Sequence, residues 1–445
     1  MKRIGILTAG GDTPALNATL HGAAERANDA KVELIGLLGG FNGLLDPKAP
    51  YLRLNPLFET IPELDSTLGG TILGSSRRYV SSSDKSALDA TRQRINGLGL
   101  EGLICVGGDG TINGMQSLCD LLPTVLAPKT IDNDLGLNPV VPSDGAGGGA
   151  PFDLTKMINY ATPGYATAVY VATWGIRRVR TTAESHHRIA IVEVMGRHSG
   201  YIAAGSAYGQ PDIILLPEEP VDLPKLVDRV REIYNRQKNV VIVCGEGIVD
   251  EEGVELGAST ATTDPAGNTV LSGAAEALRN RLVDAIGDDF FRQTGRVDTA
   301  ARAIFTRKVG HTQRGGRPLK FDRYQGAQLG GQSVEMLLAG KNNCFASLQL
   351  TPEGGFEVEP RETSILRDAD GIVQARRVHP SFYCSDALNI SRVGIDYLLP
   401  IFNEAIGADD VEHVRQSLFD ASNLTEEYRS ISVAIARRVE FVGEK

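Results

Sequence analysis

The chain has 445 residues, of which 42% are hydrophobic and 22% are charged, and its formal net charge at pH 7 is −10. This length and hydrophobic content suffice for two or three domains with their own cores and argue against widespread disorder. The negative charge argues against broad binding to nucleic acid or to an anionic membrane, so any basic site has to be local, and small anionic ligands remain possible.

The cysteines and the first residues indicate the compartment. The five cysteines are widely spaced and form neither a CxxC pair nor a zinc ligand set, which favours a reducing environment. The apolar run Ile4–Leu7 is too short for the core of a signal peptide, and no stretch reaches the length of a membrane span. We therefore expect a cytoplasmic protein with no membrane partner.

Short aliphatic or β-branched runs alternate with amphipathic stretches along the chain. The predicted strands are Ile4–Thr8, Glu33–Leu37, Gly102–Val106, Thr124–Ala127, Ile189–Val194, Asp212–Leu215 and Val240–Cys244. The predicted helices are Ala15–Asn28, Lys85–Asn96, Ile112–Leu121, Tyr165–Arg178, Leu223–Arg236 and Tyr324–Leu338. This alternation predicts an α/β fold with doubly wound, mostly parallel sheets. Ligands bind outside the carboxyl ends of the strands in such sheets, so the loops at the strand ends are the candidate site.

Three segments interrupt the alternation. The Pro- and Gly-rich stretch Asn138–Ala150 is predicted to be a loop, either a solvated insertion or a segment that closes over a ligand. The acidic stretch Asp250–Thr263 is predicted to be a surface excursion. The chain beyond about Asp370 is helical in pattern at Val411–Phe419 and Glu426–Val439, which is typical of an appendage or a subunit contact.

The first two strand-end loops are rich in glycine. Gly10 and Gly11, ahead of a predicted helix, let the backbone approach an anion at the helix N-terminus, although a tight turn alone would also explain them. The second loop, Gly107–Thr111, reads GGDGT, in which Asp109 is suited to hold Mg²⁺ at a phosphate. The sequence contains neither a GxxxxGK[ST] loop nor an HRD loop.

The third loop, PKTIDND, follows the fourth predicted strand. Asp132 or Asp134 could accept the proton of an attacking hydroxyl, and Lys129 could neutralise charge on the group in transfer. A surface turn would also explain Asp and Asn at these positions. Later strand ends carry further cationic and hydrogen-bonding groups, which suit phosphate and sugar hydroxyls: Arg188, Met195, Gly196, Arg197, Glu246, His311 and Arg314.

Six motifs in order make the sequence resemble the phosphofructokinase family over about residues 1–340: GGDTPALNA, GGTILGSSR, VGGDGT, PKTIDND, SHHRIAIVEVMGRHSGY and GHTQRGG. The resemblance implies transfer of a phosphoryl group to the 1-hydroxyl of fructose 6-phosphate in glycolysis. It also implies two Rossmann-like domains with the active site in the cleft between them. We expect residues 1–137 to bind the donor, completed by about 312–360, and residues 138–311 to bind fructose 6-phosphate. Residues 361–445 are expected to form a helical extension and a possible subunit contact.

The resemblance also implies roles for single residues. Asp132 matches the base on the sugar hydroxyl, with Lys129 and Arg197 as further catalytic groups, and Asp109 matches the Mg²⁺ site. The positions that match the donor site are Gly11, Arg77, Gly108, Gly110 and Thr111. The positions that match the fructose 6-phosphate site are Thr130, Asp132, Asp134, Arg188, Met195, Gly196, Arg197, Glu246, His311 and Arg314. Arg188 matches an arginine that reaches across a subunit boundary, which implies a homodimer or homotetramer.

Two departures from the family pattern leave questions open. Phe305 stands where bacterial members often carry a second phosphate-binding arginine, and either Arg302 or Arg307 could replace it. Members that use pyrophosphate pair a lysine at position 129 with an aspartate after GGD, whereas ATP users have glycine after GGD. This chain combines Lys129 with Gly110. Because Gly110 leaves room for a nucleotide, we expect ATP as the donor, with pyrophosphate as the alternative.

Two other classes of function would use some of the same residues. GGDGT also occurs in kinases that act on NAD or on lipids, but such a kinase leaves PKTIDND and GHTQRGG without a role. A non-catalytic paralogue would be expected to lack the metal or base carboxylate, and this chain has both Asp109 and Asp132.

Overall fold

The computed structural model describes residues 1–138, 152–263, 269–271, 273–295, 299–368, 371–418 and 420–443. Apart from Asn138, the loop predicted for Asn138–Ala150 lies outside these ranges. The strands are β1 Arg3–Ala9, β2 Glu33–Leu37, β3 Tyr51–Arg53, β4 Ser75–Ser76, β5 Gly102–Gly107, β6 Thr124–Pro128, β7 Ile189–Val194, β8 Ile213–Leu215, β9 Val240–Gly245, β10 Ala258–Thr263, β11 Thr269–Leu271, β12 Ile304–Lys308, β13 Cys344–Leu350, β14 Phe356–Glu362, β15 Tyr383–Cys384 and β16 Asn389–Ile390.

The helices cover both faces of the sheets and connect most of the parallel strands. They are α1 Leu16–Asp29, α2 Asn42–Leu45, α3 Lys85–Leu98, α4 Asp109–Cys119, α5 Tyr165–Ser185, α6 Tyr201–Gly205, α7 Leu223–Gln237, α8 Ala274–Gln293, α9 Ala300–Ala303, α10 Lys320–Leu338, α11 Arg392–Phe402, α12 Ala408–Ser417 and α13 Ile431–Ile435. None of the helices in the described ranges combines the length and the apolar character needed to cross a membrane.

Two mostly parallel sheets organise the chain. Within the described residues the larger sheet has eight strands in the order β14-β13-β6-β5-β1-β2-β3, with β4 beside β1. Its strand pairs are parallel except for the antiparallel pairs β13–β14 and β2–β3. The second sheet has the order β12-β7-β9-β8 and is parallel throughout. The predicted α/β class with doubly wound sheets is confirmed.

Strand β1 shows why these runs form the centre of a sheet. Ile4 and Ile6 point into one apolar cluster, and Leu7 and Ala9 point into the cluster on the other face. Successive side chains of a strand alternate between the two faces, so a strand buried on both faces has to be apolar nearly throughout. Because these apolar runs are continuous, the strands could be predicted from the sequence.

Helices α1 and α10 pack closely on one face of the larger sheet. A Cβ atom on Gly22 of α1 would lie only 2.1 Å from the carbonyl oxygen of Ala327 in α10. Glycine is therefore required at this crossing, because a side chain would force the two helices apart. This contact joins the first helix to a helix that begins about 300 residues later, so both cover the same face of the larger sheet.

Every strand and helix predicted up to Leu338 is present, with ends that differ by a few residues, most at α5, which continues to Ser185. Strand β14 was not predicted because it reads FEVEPRE and lies at the edge of the larger sheet with much of its surface exposed. An edge strand of this kind needs no continuous apolar run. Helix α8 and strands β12 and β13 also went unrecognised in the sequence.

The interpretation of the last residues as a helical appendage requires a correction. Val378, Phe382, Tyr397 and Ile401 are buried in the same apolar cluster as residues of α5, β7 and α6. Of the second predicted helix, Glu426–Val439, only α13 Ile431–Ile435 is helical. The error arose because helical periodicity reports a buried face and does not identify the surface that covers it.

Candidate active site

A cavity of about 480 Å³ is lined by loops that follow strands of both parallel sheets. The predicted site residues that line it are Gly11, Arg77, Gly108, Asp109, Gly110, Thr111, Lys129, Thr130, Asp132, Asp134, Met195, Arg197, Glu246, His311 and Arg314. The structure therefore brings the glycine loops, the PKTIDND loop and the later strand ends to one place, as expected for ligand sites at the carboxyl ends of parallel strands.

The first glycine loop forms one wall of the cavity. Gly10 has a φ of 81°, a conformation that favours glycine, and its amide donates to the carbonyl of Ser76 at 2.9 Å. A Cβ on Gly11 would lie 2.9 Å from Nη1 of Arg314. The missing side chains thus allow backbone and guanidinium to meet at the position where an anion would bind.

The GGDGT loop places the N-terminus of α4 at the cavity. Helix α4 begins at Asp109, and its N-cap is Gly108. A Cβ on Gly107 would lie 1.9 Å from Oγ1 of Thr111, so the loop turns tightly around that hydroxyl. A Cβ on Gly110, in contrast, would meet no atom within 4 Å. The free amides at a helix N-terminus favour an anion here, and the space beside Gly110 is open.

Three carboxyl groups share the cavity. Burial raises the pKa of Asp109 well above its usual range, and the charges of Asp134 and Asp132 raise it further. Burial, followed by the charge of Asp132, raises the pKa of Asp134 to about 7. Within the described residues, one buried oxygen (Oδ1) of Asp109 and one of Asp132 accept no hydrogen bond. A bound cation would reduce the repulsion among these carboxyl groups.

The residues present fit a Mg²⁺ ion that is bound together with a phosphorylated ligand. No three His, Cys, Asp or Glu side chains form a metal cage in the described part of the chain. Magnesium is usually held by one or two carboxylates, with phosphate oxygens and water completing its shell. The unpartnered Asp109 oxygen beside the N-terminus of α4 is suited to this arrangement.

Lys129 lies against the first glycine loop. Its side chain is buried, and its Nζ donates to the carbonyl of Gly11. Burial, followed by the nearby Arg314, lowers the pKa of Lys129 to about 7, and the charges of Asp12 and Asp132 act in the opposite direction. An anionic phosphate bound beside this amine would favour its charged form.

The opposite wall comes from the second sheet. The amide of Met195 donates to Oε1 of Gln313 at 2.9 Å, which ties the MGR loop to the GHTQRGG loop. Burial, followed by the charge of Asp132, raises the pKa of Glu246 to about 7. Together with Arg197, Arg314 and the imidazole of His311, this wall offers a hydroxyl acceptor, two guanidinium cations and a further hydrogen-bonding group. That combination suits a phosphorylated sugar.

The motifs that line the cavity belong to a longer stretch of the chain that matches a known protein family. The family model described as "Phosphofructokinase" matches residues 3–140 and 157–337. The chain belongs to the phosphofructokinase family.

Relatives in the phosphofructokinase family carry both donor names. "ATP-dependent 6-phosphofructokinase 3" of Streptomyces coelicolor is 35% identical over 363 residues, covering 78% of this chain and 91% of that one. "Pyrophosphate--fructose 6-phosphate 1-phosphotransferase" of Amycolatopsis methanolica is 34% identical over 353 residues, with the same coverage. A crystal structure of the pyrophosphate-dependent phosphofructokinase from Marinobacter aquaeolei has a similar fold, with a TM-score of 0.69, 20% identity and 92% of each chain covered.

Two residues that match phosphofructokinase positions do not line this cavity. Gly196 has a φ of 116° and lies between Met195 and Arg197, where it shapes the loop. Arg188 immediately precedes β7, whereas the cavity lies beyond the carboxyl end of that strand. At about 3.3 Å per residue, this places Arg188 roughly 20 Å from the cavity of its own chain.

Phe305, which stands where many bacterial family members carry an arginine, packs against a neighbouring side chain. Phe305 lies in β12 and is partly buried, with the guanidinium of Arg307 packed 5.2 Å from the centre of its ring. Neither Arg302 nor Arg307 lines the cavity.

The cavity contains residues that the sequence analysis did not assign. Tyr79 and His198 line the wall, each within two residues of an assigned arginine, Arg77 or Arg197. Proximity to the motifs could have indicated both. Ala375 also lines the cavity, although it lies beyond the last motif, and no sequence signal pointed to it.

Replacement of Asp134 by asparagine should stabilise the Mg²⁺-free protein most at neutral pH. The pKa of about 7 in the folded protein exceeds that of an ordinary aspartate, so the folded state retains a proton that the unfolded chain loses above about pH 4. Wild-type stability therefore falls as the pH rises through this window, and Asp134→Asn removes that decline. Scanning fluorimetry with a chelator should show a Tm gain of a few degrees Celsius at about pH 7.5 and a smaller gain at about pH 5.

A matched control is Asp228→Asn, which changes an exposed carboxyl group on α7. The control should show no pH-dependent difference from wild type. A lower Tm of Asp134→Asn than of wild type at about pH 7.5 would contradict the inferred repulsion.

Proposed function

We propose that this chain is a 6-phosphofructokinase that transfers the terminal phosphoryl group of Mg²⁺-bound ATP to the 1-hydroxyl of D-fructose 6-phosphate. The product is fructose 1,6-bisphosphate, which places the reaction in glycolysis, and a cytoplasmic location is expected from the sequence. The observation that carries the proposal is that Asp109, at the glycine loop, and Asp132, at the end of β6, line one cavity. Family membership supports the same reaction class.

The chemistry assigned to Asp132 is alignment and deprotonation of the sugar hydroxyl. A carboxylate is a weak base toward an alcohol, with a reference pKa of about 3.9, so most of the rate enhancement must come from positioning and charge stabilisation. A Mg²⁺ ion held at Asp109 would neutralise phosphate charge. Lys129, beside the carbonyl of Gly11, is placed to stabilise the group in transfer.

The acceptor side uses residues of the second sheet. Arg197, His311 and Arg314 would hold the sugar phosphate, and the carboxyl group of Glu246 would accept hydrogen bonds from sugar hydroxyls. Thr130 and Asp134 flank the base in the PKTIDND loop. The Oγ1 atom of Thr130 accepts from the amide of Asp132 at 3.1 Å, which helps to hold the orientation of that loop.

The choice of donor depends on Gly110 and Lys129. The space beyond Gly110 is open, so it could contain the additional phosphate and nucleoside of ATP. Lys129 would assist either donor, because it supplies positive charge without filling that space. Pyrophosphate therefore remains the alternative donor, and the names of the relatives support both.

The other classes of function are less well supported. A GGDGT kinase for NAD or lipids would not account for a family match that continues through residues 157–337. A non-catalytic paralogue would not need Asp109 and Asp132 together in one cavity.

The location of Arg188 supports an active unit of at least two chains. Because Arg188 lies at the far end of β7 from its own cavity, it could reach fructose 6-phosphate only in the cavity of another copy. We therefore propose a homodimer or homotetramer in which Arg188 completes the neighbouring site.

The donor assignment predicts turnover with ATP. Purified protein with Mg²⁺ and fructose 6-phosphate should form fructose 1,6-bisphosphate with ATP at a higher kcat/KM than with pyrophosphate, in a coupled aldolase assay. Turnover with pyrophosphate alone would favour the alternative donor, and no turnover with either would reject the proposed function.

Replacement of Asp132 by serine should lower kcat by roughly 10²- to 10⁴-fold, the usual contribution of a general base. Binding of fructose 6-phosphate, measured by calorimetry, should change little, because the phosphate-binding groups remain in place. Asp120→Ser, which changes the residue after α4 and outside the cavity, is the control. Near-normal kcat in Asp132→Ser would remove this residue from the base role.

Replacement of Gly110 by aspartate should discriminate against ATP. At an effective dielectric constant of about 20, a carboxylate about 6 Å from a phosphate charge costs about 2.8 kcal/mol, so kcat/KM for ATP should fall by roughly 100-fold. Turnover with pyrophosphate should fall less. Gly110→Ala is the control, because it adds a methyl group without charge. An equal loss with both donors in Gly110→Asp would contradict the idea that the space beside Gly110 selects ATP.

A further inference from the structure

A segment near the end of the chain reaches the candidate active site. Ala375 lines the cavity, although the family match ends at residue 337. Val378 and Phe382, which follow it, are buried in the apolar cluster beneath the second sheet. This segment therefore supplies one residue of the cavity wall and anchors itself in the core of the second sheet through Val378 and Phe382.

Arg376 contacts the loop that carries the candidate base. Its backbone amide donates to the carbonyl of Asp134 at 2.6 Å, and its Nη2 donates to the carbonyl of Asn133 at 2.7 Å. Its guanidinium also donates to the carbonyls of Asn159 and Tyr160. The side chain is only 1% exposed. The buried guanidinium thus binds Asn133, and the backbone amide of the same residue binds Asp134, immediately after Asp132.

The same residue contacts the loop that follows β7. The Oγ atom of Ser199 donates to the carbonyl of Arg376 at 2.7 Å, and the guanidinium lies 4.8 Å from the ring centre of Tyr201. Two residues after Arg376, the amide of Val378 donates at 2.7 Å to Oε1 of Glu218. The same oxygen also accepts from the amide of Gly200 at 2.9 Å. Arg376 therefore joins the end of β6 in one sheet to the MGRHSGY loop of the other.

The charge of this guanidinium also acts on the acidic cluster. It partly offsets the rise in the pKa of Asp109 and of Asp134. An arginine stays protonated when buried, and taking its charge out of water is costly unless carbonyls and carboxylates surround it. A cation at this place is consistent with a role in ordering the acidic loop.

We propose that Arg376 is a positioning residue for phosphoryl transfer: its guanidinium, which binds the carbonyl of Asn133 and packs on the ring of Tyr201 at the start of α6, fixes the orientation of Asp132 toward both substrates. The C-terminal extension would then be required for catalysis in this chain. This inference rests on the proposed function. It adds a group that acts through Asp132 and does not itself contact the reacting atoms.

A purely structural role is the competing explanation, and the chain offers a matched comparison. Arg94 is also 1% exposed and also donates to three carbonyls, those of Gly43, Pro47 and Pro50. It lies in α3 and does not line the cavity. Loss of either arginine should lower stability, but only the loss of Arg376 should affect alignment of the base.

The test compares Arg376→Met, Arg376→Lys and Arg94→Met in the full-length protein. Steady-state kinetics would use the donor that wild type prefers, at a temperature well below the lowest Tm. Arg376→Met should lower kcat by roughly 100-fold, the effect expected for misplacement of a reacting group by about 1 Å, with little change in KM for the donor. Arg376→Lys should recover part of kcat, because an ammonium keeps the charge but cannot span all the carbonyls. Arg94→Met should lose stability and keep a kcat near that of wild type.

The outcomes separate the inference from the function on which it rests. An inactive wild type would reject the proposed function, whereas an active wild type with an equally active Arg376→Met would reject only the inference. A kcat loss in Arg94→Met as large as that in Arg376→Met would also reject it, since burial alone would then explain the effect. If Arg376→Met fails to fold, Arg376→Lys decides: a kcat equal to wild type would overturn the positioning role, and a reduced kcat at a similar Tm would support it.

Discussion

Repulsion among Asp109, Asp132 and Asp134 is the constraint around which the cavity is built. These carboxyl groups are held by two adjacent strand ends, and burial makes the charged forms of Asp109 and Asp134 costly. The buried guanidinium of Arg376 offsets part of this cost, and a metal with its phosphate ligand would offset more. The same repulsion that is expected to weaken the metal-free protein would thus favour binding of Mg²⁺ beside the phosphates of the donor.

The fold brings these charges together through the direction of its strands. Parallel strands place all their carboxyl ends at one edge, so β5 and β6 deliver Asp109 and Asp132 as neighbours. Glycines then let the loops approach: Gly11 leaves room for the guanidinium of Arg314, which the second wall of the cavity contributes. The two walls of the cavity therefore come from different sheets.

The C-terminal extension holds this arrangement at two points. At the first, Arg376 joins the IDND turn to the loop after β7. At the second, Asp410 near the start of α12 is 7% exposed and pairs with Arg317 and Arg323, which lie beyond the GHTQRGG loop and in α10. Such buried pairs are costly to break, because loss of one partner leaves an uncompensated charge. The extension thereby couples the end of the chain to both walls of the cavity.

The sequence by itself determined the α/β class, most of the central strands and helices, and the loops that form the cavity, because apolar continuity and glycine-rich turns are local signals. Local pattern did not reveal β14, an exposed edge strand, or the burial of Val378 and Phe382. Only the tertiary structure decided that Arg188 lies away from its own cavity and that Arg376 lies beside the candidate base. Arg376 donates to a carbonyl 243 residues earlier in the chain, and such a contact arises from long-range packing that no short stretch of sequence encodes.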